Sequence, residues 1–501
     1  MAQLAIRRPR FSMPTATAGL PRWVWPLGIA LAALAGLAPP LVSLGVLVAG
    51  LVVFILLKKP LWGAYALVLS VPVQDTVKLP GGINVTQAAF VLVLGIWWFW
   101  MALRSDRRLH ITPIGVTLLL FLTCTLPSLW VTTSLPDSLA EISRWIVTIL
   151  SYIIIVNSVQ SRREVTSLIV VMLTAGMSEA LLGLVQAYGG LGPASFNVGG
   201  LLTRAYGTIG APNSFAGYIN MSVPLAFALA AYHWGKWATA RRAAPYLDRP
   251  DFMSWQRLRV PLLVSLVAFL LFWTVVTSLS RGAWIGLAFG VLVMVLSLGQ
   301  RAKGAITGLL AALIILAGLT GLNAVPPVIA DRFTQLTSQL QIFDPRGITP
   351  NPDNYALVER MVHWMVAGNM FLSSPIVGVG IGNFNTLFNK FGVQGWPYSR
   401  GHAHNYYLNL LAEVGIVGLT GYLIMIITTF AVAYRALRRV RARKDLYGEM
   451  IVIGALGVLA TFVTHNFFEN LHALNMGIQW GAALALFTLV WLRPEQPGKG
   501  A

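Results

Sequence analysis

Acidic residues are scarce in this chain: 17 aspartates and glutamates stand among 501 residues, against 36 lysines and arginines. Charge of either sign is sparse, at 11%, where a soluble globule carries about 25%. That excludes an ordinary water-soluble domain. Cysteine is almost missing. The one thiol, Cys124, lies in an apolar run, which rules out an intramolecular disulfide and a thiolate metal site. No DxD pair is present to hold Mg²⁺ against a diphosphate. The carboxylates Asp75, Asp137, Asp331, Asp344, Asp353, Glu359 and Glu469 are scattered instead. No HExxH or similar metal spacing occurs, so His402 and His404 could hold zinc only with partners from elsewhere. Internal repeats and low-complexity tracts are also missing.

What the chain has is hydrocarbon. It is 56% hydrophobic, with a mean hydropathy of +0.70, and its apolar runs of about 17–25 residues can each cross a bilayer. The patterning predicts helices at 24–38, 41–57, 61–73, 85–103, 111–131, 139–156, 165–188, 211–233, 259–279, 283–298, 305–323, 405–433, 450–465 and 475–491. The expected fold is an all-α polytopic membrane protein of about 12–14 transmembrane helices. Its net charge of +19 is a topology signal rather than a nucleic-acid footprint, because 27 of the 36 basic residues fall at alternate helix ends. The positive-inside rule makes that side cytoplasmic, with both termini inside. The basic N-terminus and the apolar run after it read as an uncleaved first helix.

The expected organisation is a cytoplasmic tail at 1–23, an N-terminal helix bundle at 24–323, and a large extracytoplasmic loop at 324–404. C-terminal transmembrane helices follow at 405–491, with a second tail at 492–501. Two basic cytoplasmic loops are expected at 234–258 and 435–448, where they face anionic lipid. Helices near 328–341 and 355–373 are expected inside the large loop. Its apolar residues Val358, Met361, Trp364, Met365, Met370 and Phe371 fold it back onto the bundle.

Three outer stretches combine ionisable groups with glycine. SRGA, 280–283, puts Arg281 at a helix end, where an anion is its natural partner and snorkelling to the interface is the bland alternative. In 359–384, Arg360, His363 and Trp364 follow helical spacing. Gly378, Gly380 and Gly382 then form a turn in which backbone approaches something closely, not a dinucleotide fingerprint. A salt bridge from Arg360 to an acid such as Asp353 is the structural alternative for that arginine. In 400–422, His404 and Asn405 open a membrane helix. A neutral imidazole there can take a proton from a hydroxyl, while His402 and His404 can equally be interfacial hydrogen-bonders. Gly415, Gly418 and Gly421 form a stripe for close helix packing, and Glu413 between them needs a partner.

At these residues a family is visible. His404-Asn405, nine residues, then Gly415 and Gly418 resembles the signature of the O-antigen ligase/polymerase family. SRGA resembles its outer-face arginine motif, and Arg360 with PIVGVGIGNF resembles its loop arginine segment. RAYGTIGAPNSFAGY, 204–218, is similar to its glycine-asparagine segment. Where ligases often carry threonine after Gly418, this chain has Leu419. The resemblance implies a glycosyltransferase in the bacterial inner (plasma) membrane that uses neither metal nor cofactor. It would move a glycan from a polyprenyl-diphosphate carrier to a hydroxyl acceptor on the outer face. The acceptor would be lipid A-core, a growing glycan or a protein hydroxyl, which are the ligase, polymerase and protein O-oligosaccharyltransferase forms of one activity. Arg281 and Arg360 would hold the diphosphate and His404 would orient or deprotonate the acceptor. Arg204, Asn213, His402 and Asn405 would line the substrate site. A lipid-linked glycan transporter or flippase is the alternative of another class; it expects paired discontinuous helices and related halves.

Overall fold

A computed structural model describes residues 50–74, 84–103, 109–200, 202–243, 255–304, 306–308, 329–330, 341–351, 354–393, 395–396 and 398–493. Residues 1–59 and 60–501 form separate compact units. Of the first, residues 50–58 are helical. The expected helix at 24–38 lies outside the described residues, as do most of 41–57, 305–323 and 328–341.

In the second unit the chain runs through α1 (Pro60–Ser70), α2 (Val85–Ala102), α3 (Pro113–Thr125), α4 (Leu135–Ser158) and α5 (Arg162–Gly189). A two-residue hairpin follows, Asn197–Val198 against Leu202–Thr203. Then come α6 (Pro212–Asn220), α7 (Val223–Ala243), α8 (Trp255–Thr277), α9 (Arg281–Ser297), α10 (Tyr355–Ser373), α11 (Phe384–Leu387), α12 (Tyr406–Ala442), α13 (Leu446–His465) and α14 (Gly477–Leu492). Among the described residues, eight helices are long and apolar enough to span a membrane, and three apolar helices are shorter. The protein is a multi-pass, all-helical membrane protein.

Helix starts follow local chemistry. Asn84 and Gln87 form a capping box on α2, Ser161 and Glu164 one on α5, and Thr112 followed by Pro113 opens α3. Three expectations need correction, the first being the basic loop at 234–258, of which 234–243 belong to α7 and 255–258 to α8. The helix expected at 211–233 is two, α6 and α7, separated at Met221-Ser222. The expected basic loop at 435–448 is mostly helix: α12 continues to Ala442 and α13 begins at Leu446. Val432, Ala433, Ala436, Leu437 and Val440 are buried at helical spacing while Arg435, Arg438 and Arg441 are exposed, so the arginines occupy the outer face of an amphipathic helix.

Close packing in the bundle depends on small residues. Gly282, Gly286 and Gly290 on α9 recur every fourth position, and a Cβ at Gly286 would lie 2.9 Å from the Thr461 carbonyl oxygen of α13. On α12, a Cβ at Gly421 would lie 2.9 Å from Cys124 Cβ on α3. The basic ends of several helices meet. Arg162 of α5 pairs with Asp445 at 2.7 Å, Arg441 pairs with Glu449 at 2.8 Å, and Arg441 also donates to the Ser297 carbonyl.

The opposite end carries the long loop. Val358, Val362, Val366 and Met370 of α10 pack on Phe384, Leu387, Phe388 and Ala412, so the loop does fold back on the bundle. Its glycine turn is fastened into a break in α12. Gly415 has φ 61 and ψ −164, which interrupts the helix and frees backbone groups. Residues 375–380 satisfy them: Val379 N–H donates to Ala412 O at 2.9 Å and Gly380 N–H to Glu413 O at 3.0 Å. In return Ile416 N–H donates to Pro375 O at 2.9 Å and Val417 N–H to Ile376 O at 3.2 Å. Gly378, at φ 70, leaves no room for a Cβ against the Glu413 backbone, so the close approach expected of this turn is backbone on backbone. Glu413 finds its partner here too, accepting from Phe384 N–H at 2.9 Å.

Candidate active site

The site is built where three connections converge: residues 203–211 with the first turn of α6, 398–405 before α12, and 466–476 between α13 and α14. Asn405 is the N-cap of α12, its side-chain oxygen accepting from Tyr407 N–H at 3.0 Å and Leu408 N–H at 3.1 Å. The cap turns the chain so that His404, just before it, takes a left-handed backbone with φ 51. A non-glycine residue there is strained and is held by its surroundings. His404 N–H donates to His402 Nδ1 at 3.0 Å. That makes Nδ1 an acceptor, so Nε2 of His402 carries the proton it shares with Glu469 Oε1 at 2.9 Å.

Glu469 is the centre of the arrangement and is buried. Besides His402 it meets His404, whose Nδ1 lies 3.8 Å from Oε2. It also accepts from Asn213 Nδ2 at 2.9 Å and from Asn470 N–H at 3.2 Å. Burial alone would raise its pKa; His402, by charge and hydrogen bond, and His404 outweigh this and hold it well below the usual carboxylate range. The pKa of His404 is lowered, first by burial, then by the charge of His402 and of Arg360, with Glu469 opposing. Its Nε2 is buried and has no hydrogen-bond partner among the described residues.

Arg360 on α10 is half-buried, and the negative charges of Glu469 and Glu359 both act on its guanidinium. Arg281 is the first residue of α9. The next residue, Gly282, is pressed against Phe468, with a would-be Cβ 2.6 Å from Phe468 Cβ. The backbone of Arg281 is thereby anchored one residue from the Glu469 connection. Arg204 donates through Nε to Ser278 O and through Nη2 to Asn213 Oδ1, each at 2.9 Å. His363 has a different part. Its Nδ1–H donates to Glu359 O at 2.7 Å and its Nε2 accepts from Arg400 N–H at 3.1 Å. Burial, then the charge of His404, depress it to about 3, so it is a neutral core histidine that meets the His404 ring edge-on at 5.2 Å between centroids.

The seven residues singled out in the sequence therefore gather at one end of the bundle. His402, His404, Arg204 and Asn213 are joined through Glu469 or through one another, and Asn405 is committed to the cap. In the sequence Glu469 is only one of several scattered acids, with nothing in its spacing to set it apart. The available signal was parity: the connection after α13 must lie on the same side as the start of α12. His402, His404 and Glu469 also present ligand atoms within 4.8 Å of one another, a spread compatible with an ion. In the arrangement present, His402 Nε2 is already paired with Glu469 Oε1 at 2.9 Å, while His404 Nδ1 stands 3.8 Å from Oε2.

A long-helix bundle closed at one end by a loop-borne histidine, carboxylate and arginine cluster defines a membrane-embedded protein with a buried polar site. Residues 266–423 match the family model described as O-antigen ligase. This stretch of the chain is similar to the O-antigen ligase family, and the match supports ligase/polymerase-type glycan transfer in the general sense. No curated protein matches the chain. The matched stretch holds Arg281, Arg360, His402, His404 and Asn405; Arg204, Asn213 and Glu469 lie outside it.

Proposed function

We propose that the protein transfers a glycan from a polyprenyl diphosphate to a hydroxyl acceptor on the outer face of the bacterial plasma membrane, without a metal. The observation that carries this reading is His404 Nε2, buried without a hydrogen-bond partner among the described residues while Nδ1 of the same ring faces the Glu469 carboxylate. A proton on Nδ1 is favoured by that carboxylate, which leaves the Nε2 lone pair to receive one. The acceptor hydroxyl gives its proton to Nε2 as its oxygen bonds to the anomeric carbon. The bond from that carbon to the diphosphate oxygen breaks, and polyprenyl diphosphate leaves as an anion. Arg281 and Arg360 neutralise the leaving charge, and a guanidinium fork suits phosphate oxygens. Lipid A-core, growing glycan and protein hydroxyl all fit this chemistry as acceptor.

The hydrogen bonds within the histidine pair favour the metal-free route. A metal on His402 Nε2 would displace the proton given to Glu469. The ring proton would then sit on Nδ1, facing the His404 N–H that now donates to it. Transfer from purified lipid-linked donor should therefore persist in excess EDTA. Complete loss of activity, restored by Mg²⁺, Mn²⁺ or Zn²⁺, would refute the metal-free account.

A further inference from the structure

We propose that Arg204 and Asn213 are positioning residues that act on the reacting histidines through Glu469, and are not ligands of the glycan donor. The proposal rests on the reading of the His404–Glu469 cluster as the reacting centre. Arg204 is fixed at three points: its own N–H on Phe196 O at 2.8 Å, Nε on Ser278 O and Nη2 on Asn213 Oδ1. The neighbouring Ala205 N–H holds Thr277 O at 3.2 Å, so this segment is tied to the end of α8 just before Arg281.

That grip selects one orientation of the Asn213 amide. With Oδ1 accepting from Arg204, Nδ2 is left to donate to Glu469 Oε2 at 2.9 Å. Rotating the amide by half a turn would set two donors together at Arg204 and two acceptors together at Glu469. Oε1 is held on its other side by His402 and Asn470 N–H. Both carboxylate oxygens are thus placed, and with them the proton on His402 and the field across His404. Both polar atoms of Asn213 face protein. A ligand of the donor would need them turned outward; a residue that orients the carboxylate needs them as they are.

The sign of the expected effect follows. Each donor to Glu469 favours its ionised form, so losing the Asn213 donor lets the carboxylate take up a proton at higher pH. A protonated Glu469 no longer receives the His402 proton, and activity falls. The experiment uses the full chain in nanodiscs with a purified polyprenyl-diphosphate-linked glycan. It measures donor KM, the single-turnover rate and its pH profile for wild type, Asn213→Leu, Asn213→Gln and Glu469→Gln. Asn213→Leu should slow turnover at saturating donor by about 10- to 100-fold. Donor KM should stay within about twofold, and the acid limb should move to higher pH. Asn213→Gln, which keeps an amide donor, should recover part of both. If the leucine variant is not monodisperse, Asn213→Ser, too short to reach Glu469, gives the same comparison. A raised donor KM with an unmoved acid limb would make Asn213 a substrate ligand and overturn the proposal, as would wild-type behaviour throughout. Full activity in Glu469→Gln would instead remove the reading beneath it. A slow Glu469→Gln beside a normal Asn213→Leu removes the relay alone.

Discussion

At the scale of single residues, charge and desolvation decide the roles. Burial makes a histidine neutral, and what separates His363 from His404 is whether the ring is satisfied. His363 has both nitrogens occupied, whereas His404 has one buried nitrogen without a partner among the described residues. Burial lowers the pKa of the half-buried Arg360, and the charges of Glu469 and Glu359 oppose this in part. If it holds a diphosphate, Arg360→Ala should slow transfer by about 10²–10³, the loss of roughly 2–4 kcal/mol of transition-state stabilisation. Lysine should rescue only in part, since a point charge does not reproduce the fork. Rapid-quench transfer assays on monodisperse protein would measure this, and an alanine variant at the wild-type rate would remove Arg360 from the site. His404 and the two arginines were recognisable in the sequence as candidates because each stands beside glycines or at a loop–helix junction, where isolated charge calls for a reason. Glu469 was not. Its meaning comes from a contact across 65 residues to His404, which spacing along the chain does not encode.

At the scale of elements, hydropathy and capping carried the reading far. The helix expected at 355–373 is α10, Tyr355–Ser373. The miss at the end of α12 has a plain cause: a run of arginines looks like a loop, yet arginine and alanine are good helix formers and the apolar face continues to Val440. Gly415 was grouped with Gly418 and Gly421 as a packing stripe. Gly421 does allow α3 to approach, but Gly415 breaks the helix and receives the loop. The same residue type serves both purposes, and only backbone angles separate them. Gly415→Ala must adopt a left-handed φ and meets the Ile376 carbonyl, at a combined cost above ~2 kcal/mol. The substitution should lower the thermal midpoint and loosen residues 375–382, seen as faster amide exchange there. Unchanged exchange in Gly415→Ala would mean that the loop is held without the break.

At the scale of the molecule, the two ends of the bundle differ in kind. One gathers Arg162 and Arg441, from the basic ends of α5 and α12, with their partners Asp445 and Glu449 at the start of α13; the other gathers the site histidines, Glu469 and the long loop. The distribution of basic residues predicts that the first end is cytoplasmic and the second is not. In a Cys124→Ala background, Thr349→Cys should react with an impermeant thiol reagent added outside intact cells' inner membrane, and Lys444→Cys only from the cytoplasmic side. Labelling of Thr349→Cys from the cytoplasm would reverse the orientation and remove access to an outer-face donor. The central claim is more specific than orientation: His404 takes the acceptor proton and does not bind the donor. Single-turnover transfer by His404→Ala, with donor affinity measured on the same preparation, addresses it directly. The account predicts transfer slowed by about 10²–10³ with donor binding close to wild type. Transfer at the wild-type rate would contradict it, and lost donor binding would move His404 to the diphosphate.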